Sequence, residues 1–355
     1  MARSRNNPWL HRFAILMAAA TLCLVCIGGL VTSHGAGMAV PDWPTTFGYN
    51  MFFFPISKWV GGIFYEHTHR LVASAVGFLT IILAAWLWIK EERRWLRWLG
   101  VLALAAVIVQ GVLGGLRVTW MKDELGIFHA TLAQMFFVLV CSIAFFSSRW
   151  WREDREPSGD PAELSLLRRI SILGTGLILL QLVLGATMRH QHAGLAIPDF
   201  PTAYGHIWPA TDPASVAQYN QLRAEVTAAN PITGFQIVLQ MIHRIGAVAV
   251  LVVVASVAWF ALRRLRQNLL ARKLSVGWAL LVVCQILLGA ATIWTNKSAD
   301  IATAHVALGA LLFANGTLLV LVCSRCLWKN APVEINLPAG VARRVMRQRT
   351  AEATA

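Results

Sequence analysis

The chain contains 355 residues, of which 57% are hydrophobic and 14% are charged, and its formal net charge at pH 7 is +14. This composition excludes an ordinary soluble enzyme and predicts a polytopic membrane protein. The basic residues gather at alternate ends of apolar stretches, so the positive charge reflects membrane topology and does not indicate a nucleic-acid partner.

Eight stretches are apolar enough to cross a bilayer as helices, which takes about 20 residues each. They lie near residues 13–33, 65–89, 98–118, 127–147, 169–189, 235–262, 273–294 and 301–324. Arg and Lys concentrate before the first stretch and after the second, fourth, sixth and eighth, which predicts cytoplasmic N- and C-termini. The first stretch is too long for a signal peptide, and the segment before it leaves no room for a transit peptide. These features favour a bacterial inner membrane.

An internal repeat relates the two halves of the chain. Residues 36–48 read AGMAVPDWPTTFG and residues 193–205 read AGLAIPDFPTAYG, with eight of thirteen positions identical. Each half contributes four stretches in the same orientation, so the repeat predicts two pseudosymmetric four-helix bundles related by an axis along the membrane normal. The predicted fold is therefore an all-α membrane protein with eight transmembrane helices.

The repeat also divides the chain into units. We expect an N-terminal bundle (1–148) that carries the catalytic half, a charged cytoplasmic linker (149–168), a C-terminal bundle (169–328) and a disordered cytoplasmic tail (329–355). The long outer loop between the fifth and sixth stretches predicts a short surface helix over 213–229.

Small and polar residues within the stretches are interpreted as packing features. The third, fifth and seventh stretches carry a glutamine four residues before a glycine: Gln110 and Gly114, Gln181 and Gly185, Gln285 and Gly289. Glycine permits close helix approach and glutamine can hydrogen-bond between helices.

All six cysteines lie in apolar stretches, where we expect small buried hydrophobes rather than thiolates that bind metal. None lies in an outer loop, so disulfides are not expected there.

Four histidines lie at one depth, each about four residues into its stretch from the outer side: His69 and His129 in the first half, His243 and His305 in the second. Two imidazoles on opposed helices can supply both axial ligands of a haem iron. The alternative is four histidines hydrogen-bonded within the core. Their arrangement in two symmetric pairs favours haem or metal binding.

The residues beside two of these histidines differ between the halves. Glu66 lies one helical turn before His69, and its counterpart in the repeat is Gln240, which cannot ionise. This difference predicts chemistry in the first cavity only, with an imidazole-orienting carboxylate as the alternative role. Arg70 and Arg244 directly follow a ligand histidine. They are candidate partners for haem propionates or for lipid phosphates.

These features together resemble the heme A synthase family, whose members convert haem O to haem A for aa3-type terminal oxidases. The resemblance covers residues 13 to about 325, and no matched outer-loop cysteine is present, as in the cysteine-free branch. It rests on Glu66-x-x-His69-Arg70, Gly35-x-Gly-x-x-x-Pro-Asp-Trp-Pro44, His129 in Gly126-Ile-Phe-His-Ala-Thr, Ile242-His243-Arg244, and His305 in Ala304-His-Val.

The resemblance implies that His243 and His305 bind haem b and that His69 and His129 flank the substrate haem. It implies successive hydroxylations that oxidise the C8 methyl group to a formyl group, and an essential carboxylate at Glu66. An iron with two histidine ligands has no open site for oxygen. A route with water-derived oxygen would use Glu66 to stabilise a cation and accept a proton.

The expected partners follow from this reading. They are haem O, membrane lipid and an electron acceptor that the sequence does not identify. Docking to a haem O synthase (protohaem farnesyltransferase), to oxidase assembly factors or to a second copy of the chain stays open. The roles of His34, His67, His190 and His192 at the outer rim also stay open, although His67 is expected to face away from the iron.

Two other functions compete with this reading. A dihaem cytochrome b that transfers electrons from quinol would place haems near both membrane faces, whereas all four histidines lie at the outer depth. A transporter built from parallel repeats would bind its substrate near the midplane.

Overall fold

The computed structural model describes residues 7–153, 159–226 and 230–330, and this part of the chain contains α-helices and short 3-10 turns but no β-strand. The helices are α1 (Pro8–Ser33), α2 (Gly61–Lys90), α3 (Arg94–Thr119), α4 (Asp123–Ser147), α5 (Arg149–Arg152), α6 (Pro161–His190), α7 (Pro213–Val226), α8 (Gly234–Arg264), α9 (Leu269–Trp294) and α10 (Ala299–Asn330).

Eight of these helices, namely α1 to α4, α6 and α8 to α10, are long and apolar enough to cross a membrane. They correspond to the eight predicted stretches, so the predicted class of all-helical, multi-pass membrane protein is confirmed. Many of their large apolar side chains are exposed to the surroundings, as a lipid-facing surface requires.

Local capping signals explain where several helices begin. Asp160 accepts a hydrogen bond from the backbone N–H of Ala162, and Pro161 occupies the first turn, so α6 starts before the predicted residue 169. The predicted linker 149–168 is consequently helical at both of its ends. Thr233 and Gln236 form a capping box that starts α8.

The predicted surface helix in the second outer loop is present as α7 and ends at Val226, and residues 227–229 lie outside the described residues. The expected disordered tail lies outside them from residue 331 onward, and α10 continues to Asn330.

The same neighbours recur in both halves. Within the first half, α1 packs against α2 and α4, and α3 packs against α2 and α4. Within the second, α6 packs against α8 and α10, and α9 against α8 and α10. The halves meet through α1, α4, α6 and α10. Thus His129 on α4 and His305 on α10 lie on the central helices, and the other two histidines lie on the peripheral helices α2 and α8.

The six cysteines only partly match the expectation of buried hydrophobes. All six are free; Cys323 and Cys326 are buried in α10, but Cys23 and Cys284 are exposed on α1 and α9. The expectation was wrong for these two because an apolar stretch in a membrane helix can face lipid as well as the core.

A buried carboxylate holds the turns at the end of the molecule opposite the histidines. Glu91 is 1% exposed, accepts hydrogen bonds from Arg93 Nε at 2.9 Å and Nη2 at 3.1 Å, and pairs with Arg152 Nη2 at 2.7 Å. Burial opposes ionisation, but the bonds and charges of the two arginines outweigh it and lower the pKa of Glu91. The α2–α3 turn is thereby joined to α5.

Candidate functional site

Each of the four histidine rings lies against a glycine on a neighbouring helix. A Cβ atom built on that glycine would approach the histidine Cε1 atom to between 3.1 and 3.5 Å. The pairs are Gly28 with His69 (3.1 Å), Gly114 with His129 (3.2 Å), Gly185 with His243 (3.5 Å) and Gly289 with His305 (3.2 Å). We call these four glycines the glycine seats. At the three tightest seats a larger residue would press on the imidazole ring, so glycine lets the ring approach the neighbouring helix closely.

The three glutamines assigned to helix packing hold the backbone that carries three of these histidines. The Nε2 amide of Gln110 donates to the His129 carbonyl oxygen at 2.8 Å, that of Gln181 to His243 at 2.5 Å, and that of Gln285 to His305 at 3.0 Å. On α1 the corresponding position, four residues before Gly28, is Leu24. His69 is therefore seated on a glycine without a matching glutamine.

The geometry of His69 and His129 fits two ligands of one metal. Their ring centroids are 6.5 Å apart, and the ring planes are inclined by 70°. A metal–imidazole bond of about 2 Å places two ring centres on one metal roughly 6–6.5 Å apart. The described residues contain no group of three or more His, Cys, Asp or Glu side chains that could hold a bare ion. The spacing of the pair fits the two axial ligands of one iron.

The ring nitrogens argue against the alternative of ordinary core histidines. The Nδ1 atoms of His69, His129, His243 and His305 are all buried, and no hydrogen-bond partner for them is present in the described ranges. Core histidines would satisfy such atoms, because a buried unpaired polar group costs roughly 1–3 kcal/mol. Each of the four histidines therefore has a buried ring nitrogen without a protein partner in the described ranges, and the first pair also has the ring spacing of two ligands on one iron.

Glu66 and Arg70 hold the first outer loop onto α2. Glu66 is 4% exposed; its Oε2 accepts from the backbone N–H of Val40 at 2.9 Å, and its Oε1 pairs with Arg70 Nη2 at 2.7 Å. Arg70 also donates to the carbonyl oxygens of Val40 at 2.9 Å, Asp42 at 2.7 Å and Thr45 at 3.0 Å. Both side chains are thus engaged by the loop that covers the first histidine pair.

Gln240 and Arg244 make corresponding contacts in the second half. Gln240 Oε1 accepts from the backbone N–H of Ile197 at 2.7 Å. Arg244 donates to the carbonyl oxygens of Asp199 at 2.7 Å and Thr202 at 2.8 Å. The idea that Arg70 and Arg244 bind propionates stays a prediction. Both arginines donate to loop carbonyls, and Arg70 also pairs with Glu66.

An aspartate shapes each outer loop. Asp42 accepts hydrogen bonds from Thr45 and from the backbone N–H groups of Phe47 and Gly48. Burial opposes ionisation of Asp42, but these bonds, led by that of Gly48, outweigh it and lower its pKa. Gly48 has a φ of 76°, a conformation that favours glycine.

Asp199 repeats this pattern with the hydroxyl of Thr202 and the backbone N–H groups of Tyr204 and Gly205. Gly205 has a φ of 77°, close to that of Gly48. The hydrogen bonds again outweigh burial and lower the pKa of Asp199. The sequence repeat therefore appears in the structure as two loops with the same internal hydrogen bonds.

Only the second loop is covered by a further helix. Tyr219 on α7 stacks on Tyr204 with ring centroids 3.8 Å apart, and Arg223 on α7 donates to the carbonyl oxygen of Leu195 at 2.6 Å. The corresponding part of the first loop consists of two 3-10 turns in which Phe53 and Ile56 are each 80% exposed. The two halves therefore differ in how much chain covers their outer loops.

The outer-rim histidines have several distinct settings. His67 is fully buried, contacts the Thr46 hydroxyl through Nδ1 at 3.2 Å and packs against Trp59, so it lies under the loop rather than beside His69. His34 stacks on Tyr65 with centroids 4.0 Å apart. The structure thus assigns loop-packing contacts to both.

The remaining two rim histidines lie at the start of the second outer loop. His190 is buried at the end of α6, with Nδ1 3.9 Å from an Asp123 carboxylate oxygen on α4, and therefore lies between the halves. His192 adopts a left-handed conformation with φ of 53°.

Two arginines near the histidine pairs were not singled out by the sequence. Arg117 follows Gly114 by three residues, and Arg189 follows Gly185 by four. Each is thus one helical turn beyond a glycine that seats a histidine, on the same helix face. That spacing is the signal that could have identified them once the glycines were known to contact histidines.

The chain is similar to known proteins over most of its length. The family model described as cytochrome oxidase assembly protein (COX15-CtaA) matches residues 49–317. The heme A synthase of Lysinibacillus sphaericus is 25% identical over 330 residues, covering 90% of this chain and 97% of that protein. The heme A synthase of Geobacillus kaustophilus is 26% identical, with 93% and 95% covered, and that of Novosphingobium aromaticivorans is 26% identical, with 87% and 93% covered. The family model matches well over half of the 355 residues, so this chain belongs to the cytochrome oxidase assembly protein family COX15-CtaA.

Proposed function

We propose that this protein is a heme A synthase, an oxidoreductase that converts haem O into haem A for aa3-type terminal oxidases by oxidising the C8 methyl group to a formyl group. Family membership and similarity to heme A synthases support this function. The observation that carries it is the His69–His129 pair, with ring centroids 6.5 Å apart, in the half that alone has a carboxylate before its first histidine.

The first cavity would receive the substrate, and the second would hold a resident haem b. His69 and His129 would flank the iron of haem O, and His243 and His305 would ligate haem b, with their glycine seats fixing the ring positions. Haem b bound there supplies a one-electron carrier beside the substrate cavity. The extra cover of α7 over the second half fits a cofactor that stays, and its absence above the first fits a substrate that must exchange.

Oxidation of the methyl group with water as the oxygen source balances as R–CH3 + H2O giving R–CHO, four electrons and four protons. An external acceptor takes the electrons. Glu66 would stabilise positive charge that develops at the reacting carbon and accept protons. A carboxylate has about four lone-pair sites. The bonds from Val40 and Arg70 use two of them, so Glu66 can be held in place and still accept a proton.

The protein is a multi-pass membrane protein, and we infer that it resides in a bacterial inner membrane with the histidine end facing the periplasm. The support is the concentration of basic residues at the opposite end, around the α2–α3 turn and α5. Haem O synthase, oxidase assembly factors or a second copy of the chain would dock to this assembly as partners.

Pigment extraction from the purified full-length protein tests the function. Haem O or haem A together with haem B is the expected result. Two equivalents of haem B without haem O or haem A would instead indicate a dihaem cytochrome b, the alternative that the similarity of the two histidine pairs favours. A protein without any haem would contradict both functions.

A further inference from the structure

Arg117 stands above the first histidine pair at the outer end of α3. It lies one turn beyond Gly114, the glycine on which the His129 ring rests. Its guanidinium lies against the first outer loop, because a Cβ atom on Gly37 would come within 2.8 Å of Arg117 Nη2. The charge of Arg117 acts on both His69 and His129. Arg117 therefore lies at the edge of the site between His69 and His129 that is proposed to bind the substrate.

Arg189 has a related position at the outer end of α6. It lies one turn beyond Gly185, which seats His243, and its charge acts on His305. Its Nη2 donates to the Gly29 carbonyl oxygen at 2.5 Å and to the Ser33 hydroxyl at 2.6 Å, both on α1. Arg189 therefore borders the second cavity at the seam between the halves.

Three cations at this seam share one carboxylate partner in the described part of the chain. Arg117 and Arg189 act on each other, and Lys297 adds a third cation that acts with Arg189. Burial and then the charge of Arg189 lower the pKa of Lys297. Within the described ranges, the ion-pair partner of Arg117 is Asp123 at 3.3 Å, which is 44% exposed, and no carboxylate lies within 4 Å of Arg189 or Lys297. All three cations are only partly exposed, and partly buried charge that is incompletely paired is costly, so the cluster favours an anionic ligand.

The other two arginines at this end are held by the outer loops. Arg70 has a carboxylate partner and three loop carbonyls, and Arg244 has two loop carbonyls at 2.7 and 2.8 Å and lies over the Phe200 ring. Arg117 and Arg189 instead follow, by one helical turn, glycines that contact ligand histidines, which places them beside the two histidine pairs.

We propose that Arg117 binds a propionate carboxylate of the haem substrate in the first cavity, and that Arg189, aided by Lys297, binds a propionate of haem b in the second. A guanidinium matches a carboxylate in both charge and shape, and a propionate ionised at neutral pH would compensate each partly buried charge. This inference rests on the proposed function and adds to it the residues that hold the acidic edges of the two tetrapyrroles. Both edges are thereby turned toward the outer seam between the halves.

The test uses full-length, haem-loaded protein with Arg117→Gln, Arg189→Gln and the corresponding lysine variants. Extracted haems are separated by type, and the midpoint potential of the retained low-spin haem is measured. We expect Arg117→Gln to lower retained haem O plus haem A about tenfold and to spare haem b, and Arg189→Gln to do the reverse, since a charge-assisted pair contributes about this factor. Remaining haem should show a lower potential, because loss of a nearby positive charge disfavours the reduced iron.

Two control variants separate propionate binding from a structural role. Ser33→Ala removes one partner of Arg189 and keeps its charge, and Lys58→Gln removes an exposed cation of the first loop that donates to Tyr49. Both should retain wild-type haem content and potential. Should a glutamine variant not fold, resonance Raman spectra of the lysine variants decide. The propionate bending bands shift if the arginine touches a propionate and keep their wild-type position if it does not.

Wild-type haem content and potential in both glutamine variants would overturn this inference, as would unshifted propionate bands in both lysine variants. Loss of the opposite haem in each variant would overturn the assignment of arginines to cavities. If the wild-type protein contains haem and makes haem A, but the variants also bind haem normally, the proposed function is supported and this inference is wrong. A wild-type protein without haem would contradict the proposed function itself.

Discussion

Glu66 and Arg70 form a buried ion pair across one turn of α2, with 2.7 Å between Oε1 and Nη2, and both side chains hold the backbone of the first outer loop. The second half keeps the loop contacts but replaces the carboxylate with Gln240. A carboxylate is therefore not required for the loop to close over a histidine pair. Its presence in the first half is consistent with a chemical role in addition to the structural one.

Replacement of Glu66 by Gln tests that role. The amide oxygen can still accept from Val40, as Gln240 does from Ile197, so we expect a folded, haem-loaded protein. Loss of the charge and of the base should lower haem A formation about 10²–10⁴-fold, with accumulation of haem O or a partly oxidised form. The measurement is the ratio of haem O to haem A in extracts. Near-normal haem A production would reduce Glu66 to a loop-holding residue.

The reciprocal change, Gln240→Glu, provides the matched control. It places a carboxylate in the half proposed to hold haem b, which lacks the hydroxyfarnesyl group of haem O. We expect no second oxidised product and unchanged haem A formation. A new oxidised form of haem b in this variant would contradict the division of labour between the halves.

His243→Ala and His305→Ala should each remove the low-spin haem b absorbance, because an iron left with one axial ligand is rarely retained in that state. The reduced-minus-oxidised difference spectrum of purified protein measures this. His34→Ala serves as the control, since His34 stacks on Tyr65 at the rim. Full haem b absorbance in both ligand variants would move the cofactor site elsewhere.

The glycine seats can be tested with a single methyl group. Gly289→Ala would bring a Cβ atom to 3.2 Å from His305 Cε1, and Gly114→Ala would do the same to His129. Overpacking of this kind typically costs about 1–3 kcal/mol, so we expect lower haem occupancy or a shifted Soret band in the affected half. Gly277→Ala and Gly111→Ala are matched controls, because a methyl group added at either glycine would have no contact within 4 Å. Equal haem occupancy in all four variants would contradict the role of the seats.

The Glu91 cluster predicts a pH dependence of stability. The pKa of Glu91 is lowered from the ordinary value of 4.5 by hydrogen bonds and charges that outweigh its burial. Its stabilising contribution is therefore complete above about pH 4.5 and is lost as the pH falls through the lower folded-state pKa. Glu91→Gln should destabilise the protein by about 3–5 kcal/mol at neutral pH. It should also flatten the acid limb of thermal unfolding curves recorded in detergent.

The exposed neighbour Glu92 offers the control for that measurement. Glu92→Gln changes the charge by the same amount without removing a buried ion-pair partner. Its unfolding temperature should follow that of the wild type across the pH range. If the two variants respond alike, net charge rather than the buried cluster sets the acid limb.

Topology is tested by reporter fusions. Fusions after residues 92, 155 and 268 should report a cytoplasmic location, and fusions after 50, 122 and 215 a periplasmic one, because basic residues concentrate at the former positions. A cytoplasmic signal at 215 would invert the proposed active face.

The sequence alone determined the features that depend on local composition and spacing. Apolar stretches of spanning length predicted the eight helices. The expected position of each histidine, about four residues into its helix, was too shallow, because α2 and α8 put His69 and His243 at the ninth and tenth residues and α4 and α10 put the other two at the seventh. The repeat of 36–48 in 193–205 predicted loops whose internal hydrogen bonds indeed correspond. The exchange of Glu66 for Gln240 was likewise visible in the alignment of the two halves, because it is a difference between matched positions.

Only the tertiary structure decided which side chains meet between helices. Gly114 and Gln110 looked like general packing residues until the helix rotation brought one against the His129 ring and the other onto its carbonyl oxygen. Arg70 reaches loop carbonyls because the loop folds back over α2. Arg117 and Arg189 lie in different halves, on helices that are not equivalent in the repeat, and come together only where the halves pack. Such contacts depend on helix rotation and on the docking of distant segments, which local spacing does not encode.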